Sequence, residues 1–263
     1  MTVNPLNLAR IRHLEEITFR AWPALDTANH AGWLQRFSNG YTKRANSINV
    51  VEAIAEIDSE AIDALEAPYR ARGLPPVWRI TPLAPPAADG LLEARGYRRL
   101  EESLVQVAPL DGSSLDGSLV LDPAVTIASH PSPDWLAGFA ELSPVSPIHR
   151  PTMTRMLQSI APPVGFALVE EAGRPLAFAL GVVEDDYLGL FDILVSPAAR
   201  RRGLARRVLR SVCAWGYAQG ARFAYLQVVD SNAAARPLYV EHGFETVYTY
   251  WYRVPPSPQS SRP

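Results

Sequence analysis

Apolar residues at Leu8, Ile11, Leu14, Ile17 and Ala21 recur every three or four positions, which predicts an amphipathic helix over residues 6–22. From Gly32 to Val50 two strand-like runs flank Asn39-Gly40, a dipeptide that tolerates positive φ and favours a two-residue hairpin. Ala61 to Arg72 returns to helical spacing, with a kink expected at Pro68 and a stop at Gly73. A strand over Val77–Thr81, a loop over Pro82–Pro86, a short helix ending at Gly96 and a strand over Leu100–Val107 complete this part. The turn-rich stretch Pro109–Gly117 reads as a linker. Beyond it come a strand at Val125–Ala128, a helix start at Pro133-Asp134-Trp135, and strands at Phe166–Val169 and Leu176–Val183 around a hairpin turn at Glu171–Arg174. A strand over Tyr187–Val195, a helix over 203–219 stopped by Gly220, a strand over Phe223–Val229, a helix over 232–242 stopped by Gly243 and a strand over Thr246–Val254 follow.

The two parts superimpose with a constant shift of 147: Gly73 falls on Gly220 (220 − 73) and Gly96 on Gly243 (243 − 96). Leu91 then falls on Leu238, Tyr97 on Phe244, Trp78 on Tyr225, Val107 on Val254, and Asn39-Gly40 on Asp186-Tyr187. Element order agrees without a gap from about 32 to 107, which marks a duplicated α/β unit.

Composition narrows the class only slightly. A 48% hydrophobic, 20% charged chain of 263 residues can bury one large core or two small ones. A net charge of -2 gives no bulk attraction to nucleic acid. Lys43 is the only lysine, so the positive charge is nearly all arginine. A single cysteine, Cys213, excludes an intrachain disulfide, and the five histidines show no metal-ligand spacing. There is no apolar run of about 18 residues to span a membrane, and no basic-then-apolar start of a signal peptide. The expectation is a cytoplasmic protein without metal or membrane.

The chemistry concentrates in Leu194-Val195-Ser196-Pro197-Ala198-Ala199-Arg200-Arg201-Arg202-Gly203-Leu204-Ala205-Arg206. An apolar strand ends, an arginine-bearing loop follows, and a helix starts near Gly203. The first N–H groups of a helix lack internal partners and carry partial positive charge, so they suit a phosphate. Gly203 and Ala205 leave the backbone approachable, and adjacent arginines add bidentate contacts. The loop suits a pyrophosphate; a capped surface helix with a solvated basic start is the plainer alternative.

Arg200-x-x-Gly203-x-Ala205 resembles the Gln/Arg-x-x-Gly-x-Gly/Ala motif of the GNAT N-acetyltransferase superfamily. Tyr225–Val228 followed by Asn232–Tyr239 and Gly243-Phe244 resembles that superfamily's second motif. The resemblance covers about residues 125–255. It implies acetyl-CoA as co-substrate and a primary amine, on a small molecule or a peptide, as acceptor. By the same resemblance, backbone groups of Ile193, Leu194 and Val195 would bond the pantetheine arm. Arg200, Arg201, Arg202, Gly203, Leu204, Ala205 and Arg206 would cradle the pyrophosphate, Asn232 would contact the cofactor, and Tyr239 would protonate the leaving thiolate. Where ribosomal-protein members carry a glutamate five residues before the asparagine, this chain has Gln227, which is no carboxylate base. Asp192 is the candidate base, directly or through water; the alternatives are that it is an exposed strand residue and that water itself is the base, while Glu184, Asp185 and Asp186 fall in a solvated turn. Cys213 reads as a small apolar residue inside its helix. The run Tyr248, Tyr250, Tyr252 reads as packing, or as lining of an acceptor cleft.

Under the 147 shift, Arg200, Gly203 and Ala205 fall on Ala53, Glu56 and Asp58, Asn232 on Pro85, and Tyr239 on Leu92. Two acids in the would-be phosphate loop would repel a pyrophosphate. The fold expected is α/β (α+β), with two tandem GNAT-like domains whose mixed, mostly antiparallel sheets are flanked by helices. Residues 1–108 form a degenerate copy, 109–120 a linker, 121–257 a catalytic domain and 258–263 a tail. The function expected is acetyl transfer by direct attack; the rival is a non-catalytic acyl-CoA-binding or regulatory module.

Overall fold

The computed structural model describes residues 5–52, 56–111, 119–143 and 145–256. Ala53, residues 112–118 of the expected linker and the 258–263 tail lie outside the described residues.

The first helix, α1 (Pro5–Ala21), buries Ile11, Leu14, Ile17 and Ala21. Strands β1 (Asp26–His30) and β2 (Trp33–Phe37) form an antiparallel hairpin around Ala31-Gly32, both at positive φ. Strand β3 (Ile48–Val50) pairs back on β2, Trp33 opposite Val50. The Asn39-Gly40 turn expected to join two strands directly therefore sits inside a longer connection. The Asn46 side chain organises that connection: its amide oxygen accepts from the Ser38 and Gly40 N–H groups, and its amide donates to the Tyr41 and Thr42 carbonyls. β1 escapes pattern reading because all five of its residues are exposed, so no alternation marks it.

Helix α2 (Ser59–Ala71) starts on Asp58, whose carboxylate accepts from the Ala61 N–H at 2.8 Å. It buries Ile62, Leu65 and Tyr69 and carries Pro68 inside it. Strand β4 (Trp78–Ile80), helix α3 (Ala88–Ala94) and strand β5 (Arg98–Pro109) follow. The second half runs β6 (Val125–Ala128), α4 (Pro133–Leu142), α5 (Arg150–Gln158), β7 (Val164–Glu171), β8 (Arg174–Glu184) and β9 (Tyr187–Val195). It ends with α6 (Leu204–Ala218), β10 (Phe223–Val229), α7 (Arg236–Glu241) and β11 (Glu245–Val254). Helix α7 is shorter than the expected 232–242. The Asn232 amide oxygen accepts from the Ala235 N–H, forming a turn, and Pro237 occupies the first helical turn, where its missing N–H does no harm.

Two compact units emerge, and they are not consecutive along the chain. The first comprises Met1–Glu16, Ala24–Leu104 and Tyr248–Pro263; the second comprises Ile17–Pro23 and Val105–Val247. In the first, the strand order is β1-β2-β3-β4-β11-β5, so the chain's last strand is an interior one, with Trp251 opposite Ile80. One face of that sheet packs Trp33, Trp78 and Tyr69 under α2. Buried Glu66 takes hydrogen bonds from Trp78 Nε1 (3.1 Å) and the Tyr97 hydroxyl (2.6 Å). On the opposite face Arg79 bonds Glu15 in bidentate fashion (2.9 and 2.7 Å), and its guanidinium lies 3.4 Å from the Tyr250 ring centroid. Tyr248, Tyr250 and Tyr252 are all buried, so within this unit the aromatic run is packing.

The second unit orders its strands β6-β7-β8-β9-β10-β5. All ladders between β6 and β9 are antiparallel, and β9–β10 is parallel. Trp135 on α4 meets Phe166 and Phe178, whereas Gly165 and Gly181 face Trp215 and Val212 on α6. Successive residues of a strand point to opposite faces, so α4 and α6 cover opposite faces of this sheet.

The duplication is visible at the helix ends. Gly73, Gly96, Gly220 and Gly243 all have positive φ, and the next residue's N–H bonds the carbonyl five positions back in each case. Upstream the shift changes. In the parallel pairs Ile48 lies opposite Trp78 and Gly189 opposite Tyr225, an offset of 141 (189 − 48). The helix caps Asp58 and Gly203 differ by 145 (203 − 58). The ungapped repeat is thus corrected: Asp58, not Glu56, is the counterpart of Gly203.

Candidate active site

The parallel pairing of β9 with β10 runs from Tyr187–Phe223 to Leu190–Leu226, although the strands continue to Val195 and Val229. Beyond that point they part. On its other side β9 regains β8, Leu194 opposite Phe178 and Val195 opposite Ala177, after a bulge that places Asp192 at φ 51. The parting opens a cleft of about 570 Å³, and Ile193, Leu194 and Val195 line it together with Arg200, Ala205, Asn232 and Tyr239. Seven of the thirteen residues singled out from sequence thus meet in one place.

Beyond Val195 a 3-10 turn over Pro197–Ala199 leads into a loop where Arg201 (φ 64) and Gly203 (φ 76) adopt left-handed conformations. Gly203 caps α6 without a side chain, and a Cβ there would meet nothing within 4 Å. Among the described residues no side chain caps the first N–H groups of α6, while the equivalent end of α2 is sealed by its own Asp58 carboxylate. Leu204 is buried under the loop. Arg201 is exposed; Arg202 bonds Glu171 and Arg206 bonds both oxygens of Glu241 at 2.6 Å.

Tyr239 is buried on α7, edge-on to Phe244 at 5.9 Å between centroids. Burial, reinforced by the negative charge of Asp192, pushes its hydroxyl up to about 12. The same dependence brings Asp192 into the electrostatic neighbourhood of Tyr239. Gln227, one residue past the last paired position of β10, donates its amide N–H to the Thr18 hydroxyl at 3.3 Å. Asp185 and Asp186 are exposed in their turn, while Glu184 is half-buried and paired with Arg20. Burial pushes the Cys213 thiol up to about 12, which leaves it without nucleophilic character. Sequence reading missed Glu141 and Leu142, which reach the cleft from the end of α4, as well as Pro197, Ala234, Ala235 and Leu238. The last three lie inside the second motif, whereas Glu141 and Leu142 belong to no motif.

A splayed parallel strand pair, an uncapped helix start and a buried tyrosine in one cleft define an acyltransferase of the GNAT superfamily, and the comparisons agree. Residues 8–253 match the family described as "Probable histone acetyltransferase Rv0428c C-terminal", and the chain belongs to that family. It is 28% identical over 249 residues to an uncharacterized N-acetyltransferase, YobR, of Bacillus subtilis, covering 93% of this chain and 98% of that protein. Among solved structures it shares the fold of a GCN5-related N-acetyltransferase from Kribbella flavida (TM-score 0.62, 16% identity, 96% of this chain and 97% of that one). It also shares the fold of a tandem GNAT protein from the clavulanic acid biosynthesis pathway (TM-score 0.61, 12% identity, 93% and 88%). No helix among the described residues is long and apolar enough to cross a membrane.

Proposed function

We propose that the second unit transfers an acetyl group from acetyl-CoA to a primary amine, in the cytoplasm, and that the first unit binds no coenzyme A. The observation that carries this reading is the convergence of Ile193–Val195, Arg200, Ala205, Asn232 and Tyr239 on one cleft. The unpaired edge of β9 offers backbone groups to a pantetheine arm. The open start of α6, with Arg200, Arg201, Arg202 and Arg206, offers donors and positive charge to a pyrophosphate. Glu171 and Glu241 hold Arg202 and Arg206 in the meantime, at exposed sites where water screens such pairs and they exchange readily.

The amine nitrogen attacks the thioester carbonyl, the C–S bond breaks as the tetrahedral intermediate collapses, and the thiolate takes the Tyr239 proton. The amine's proton leaves to Asp192, directly or through water, and the tyrosinate is reprotonated from solvent. Tyr239 suits a donor because its raised pKa keeps it neutral. The acceptor is an amine on a small molecule or a peptide; the family description makes a lysine-bearing histone peptide one probe to try.

Replacing Tyr239 by Phe tests the assignment. Removal of a general acid lowers kcat by about 100-fold or more, with acetyl-CoA affinity kept. Unchanged turnover would remove Tyr239 from the chemistry, and absence of turnover in the parent despite acetyl-CoA binding would favour a binding module.

A further inference from the structure

The cleft has two ends, on opposite faces of the sheet. Arg200 and Ala205 mark the α6 end, and Glu141 and Leu142 the α4 end. The gap between β9 and β10 connects them. If the coenzyme's phosphates occupy the α6 end, as proposed above, an acceptor reaches the thioester from the α4 end. Glu141 and Arg200 are the two charged residues among those lining the cleft.

Glu141 differs from the other acids near the loop. Glu171 and Glu241 are each paired with an arginine, whereas no hydrogen bond or ion pair holds the Glu141 carboxylate among the described residues. Its position is fixed nonetheless. Helix α4 is capped by Ser132, whose hydroxyl accepts from the Trp135 N–H at 3.0 Å, and anchored by buried Trp135, Phe139 and Ala140. Trp135 Nε1 also donates to the Ala167 carbonyl at 3.0 Å. A Cβ at Gly138 would come within 2.5 Å of Phe178, so the helix lies directly on β8. An exposed, unpaired carboxylate is thereby held at the mouth of a cleft whose opposite end is basic.

We propose that Glu141 is an acceptor-binding residue, and that the acceptor is an amine that arrives as a cation, its ammonium drawn to the Glu141 carboxylate. This rests on the acetyltransferase reading of the same cleft. The residue takes no part in bond making: it concentrates and orients the ammonium, which gives one proton to water before its nitrogen attacks, the next proton leaving to Asp192 as in the transfer proposed above.

The experiment uses the full chain and three probes at pH 7: spermidine, a lysine-bearing histone peptide, and a hydrazide, whose nucleophilic nitrogen is uncharged. Thiol release gives kcat and KM, and calorimetric titration gives acetyl-CoA affinity. Glu141→Gln is expected to raise KM for the cationic probes about 5- to 10-fold, leaving the hydrazide KM and acetyl-CoA affinity unchanged, with Glu141→Asp partly restoring the parent values. Equal KM values in parent and Glu141→Gln would overturn the proposal, as would a parallel rise for the hydrazide. Acetyl-CoA binding by the parent without transfer to either cationic probe would also overturn it, while sparing the donor assignment. A parent that binds no acetyl-CoA would bring down the acetyltransferase reading itself, and this proposal with it.

Discussion

At the scale of single residues, the two units differ by what stands at one helix cap. Asp58 gives α2 its own anion; Gly203 gives α6 none. Asp58→Ala should destabilise the first unit by about 1 kcal/mol, the ordinary value of a side-chain cap, readable as a lower thermal midpoint. Asp192 and Tyr239 form the other residue-level pair. A negative charge nearby disfavours tyrosinate, so Asp192 helps hold the Tyr239 pKa at about 12. The sign follows: Tyr239 loses its proton only as pH rises through that value, and no alkaline loss of kcat from its ionisation should appear below about pH 11. Asp192→Asn should move that limb to lower pH; an unmoved limb would separate the two groups. Tyr239 and the other motif residues that line the cleft were legible because these residue types stand at short, fixed spacings. Glu141 was not, since a lone carboxylate on an amphipathic helix looks the same whether it faces solvent or a cleft.

At the scale of elements, close approach explains where glycine is used. Gly216 sits in the last turn of α6, where Ala is ordinarily the better helix former, yet a Cβ there would lie 2.7 Å from the buried Leu188 side chain. Gly216→Ala should therefore destabilise the second unit by about 1–3 kcal/mol, the usual effect of overpacking, against the helix-propensity trend. Denaturant midpoints measure this directly, and a stabilised variant would mean that β9 yields easily. Elements with strong period were read correctly: α1, α2 and α6 by apolar stripes, the last two ended by glycine, and β7 and β8 by their turn. β1 was lost for want of any buried residue, and the Asn39-Gly40 hairpin was misread because Asn46 builds a longer connection around the same dipeptide. The repeat was legible downstream of the helix ends, where four glycines share one left-handed cap, and blurred upstream, where α2 starts later relative to α6.

At the scale of the whole molecule, the compact units interleave along the chain, which a linear reading of the repeat could not show. The first unit needs the last strand: Trp251 Nε1 and the Arg253 guanidinium both bond Asp89, the latter twice at 2.8 Å, and Tyr248 donates to Glu15. Ending the chain after Val247 would remove an interior strand and leave Glu15, Arg79 and Asp89 without those partners. The first unit should then become protease-sensitive and lose its cooperative unfolding, and equal resistance in the shortened chain would refute the role given to β11. The proposed functional asymmetry of the two units is open to calorimetric titration of acetyl-CoA into the full chain, repeated with Gly203→Asp, which sets at α6 the carboxylate cap that α2 carries. One site per chain, abolished by Gly203→Asp and untouched by Asp58→Ala, is the predicted result. Two sites, or one site that survives Gly203→Asp and vanishes on changing the first unit, would contradict it.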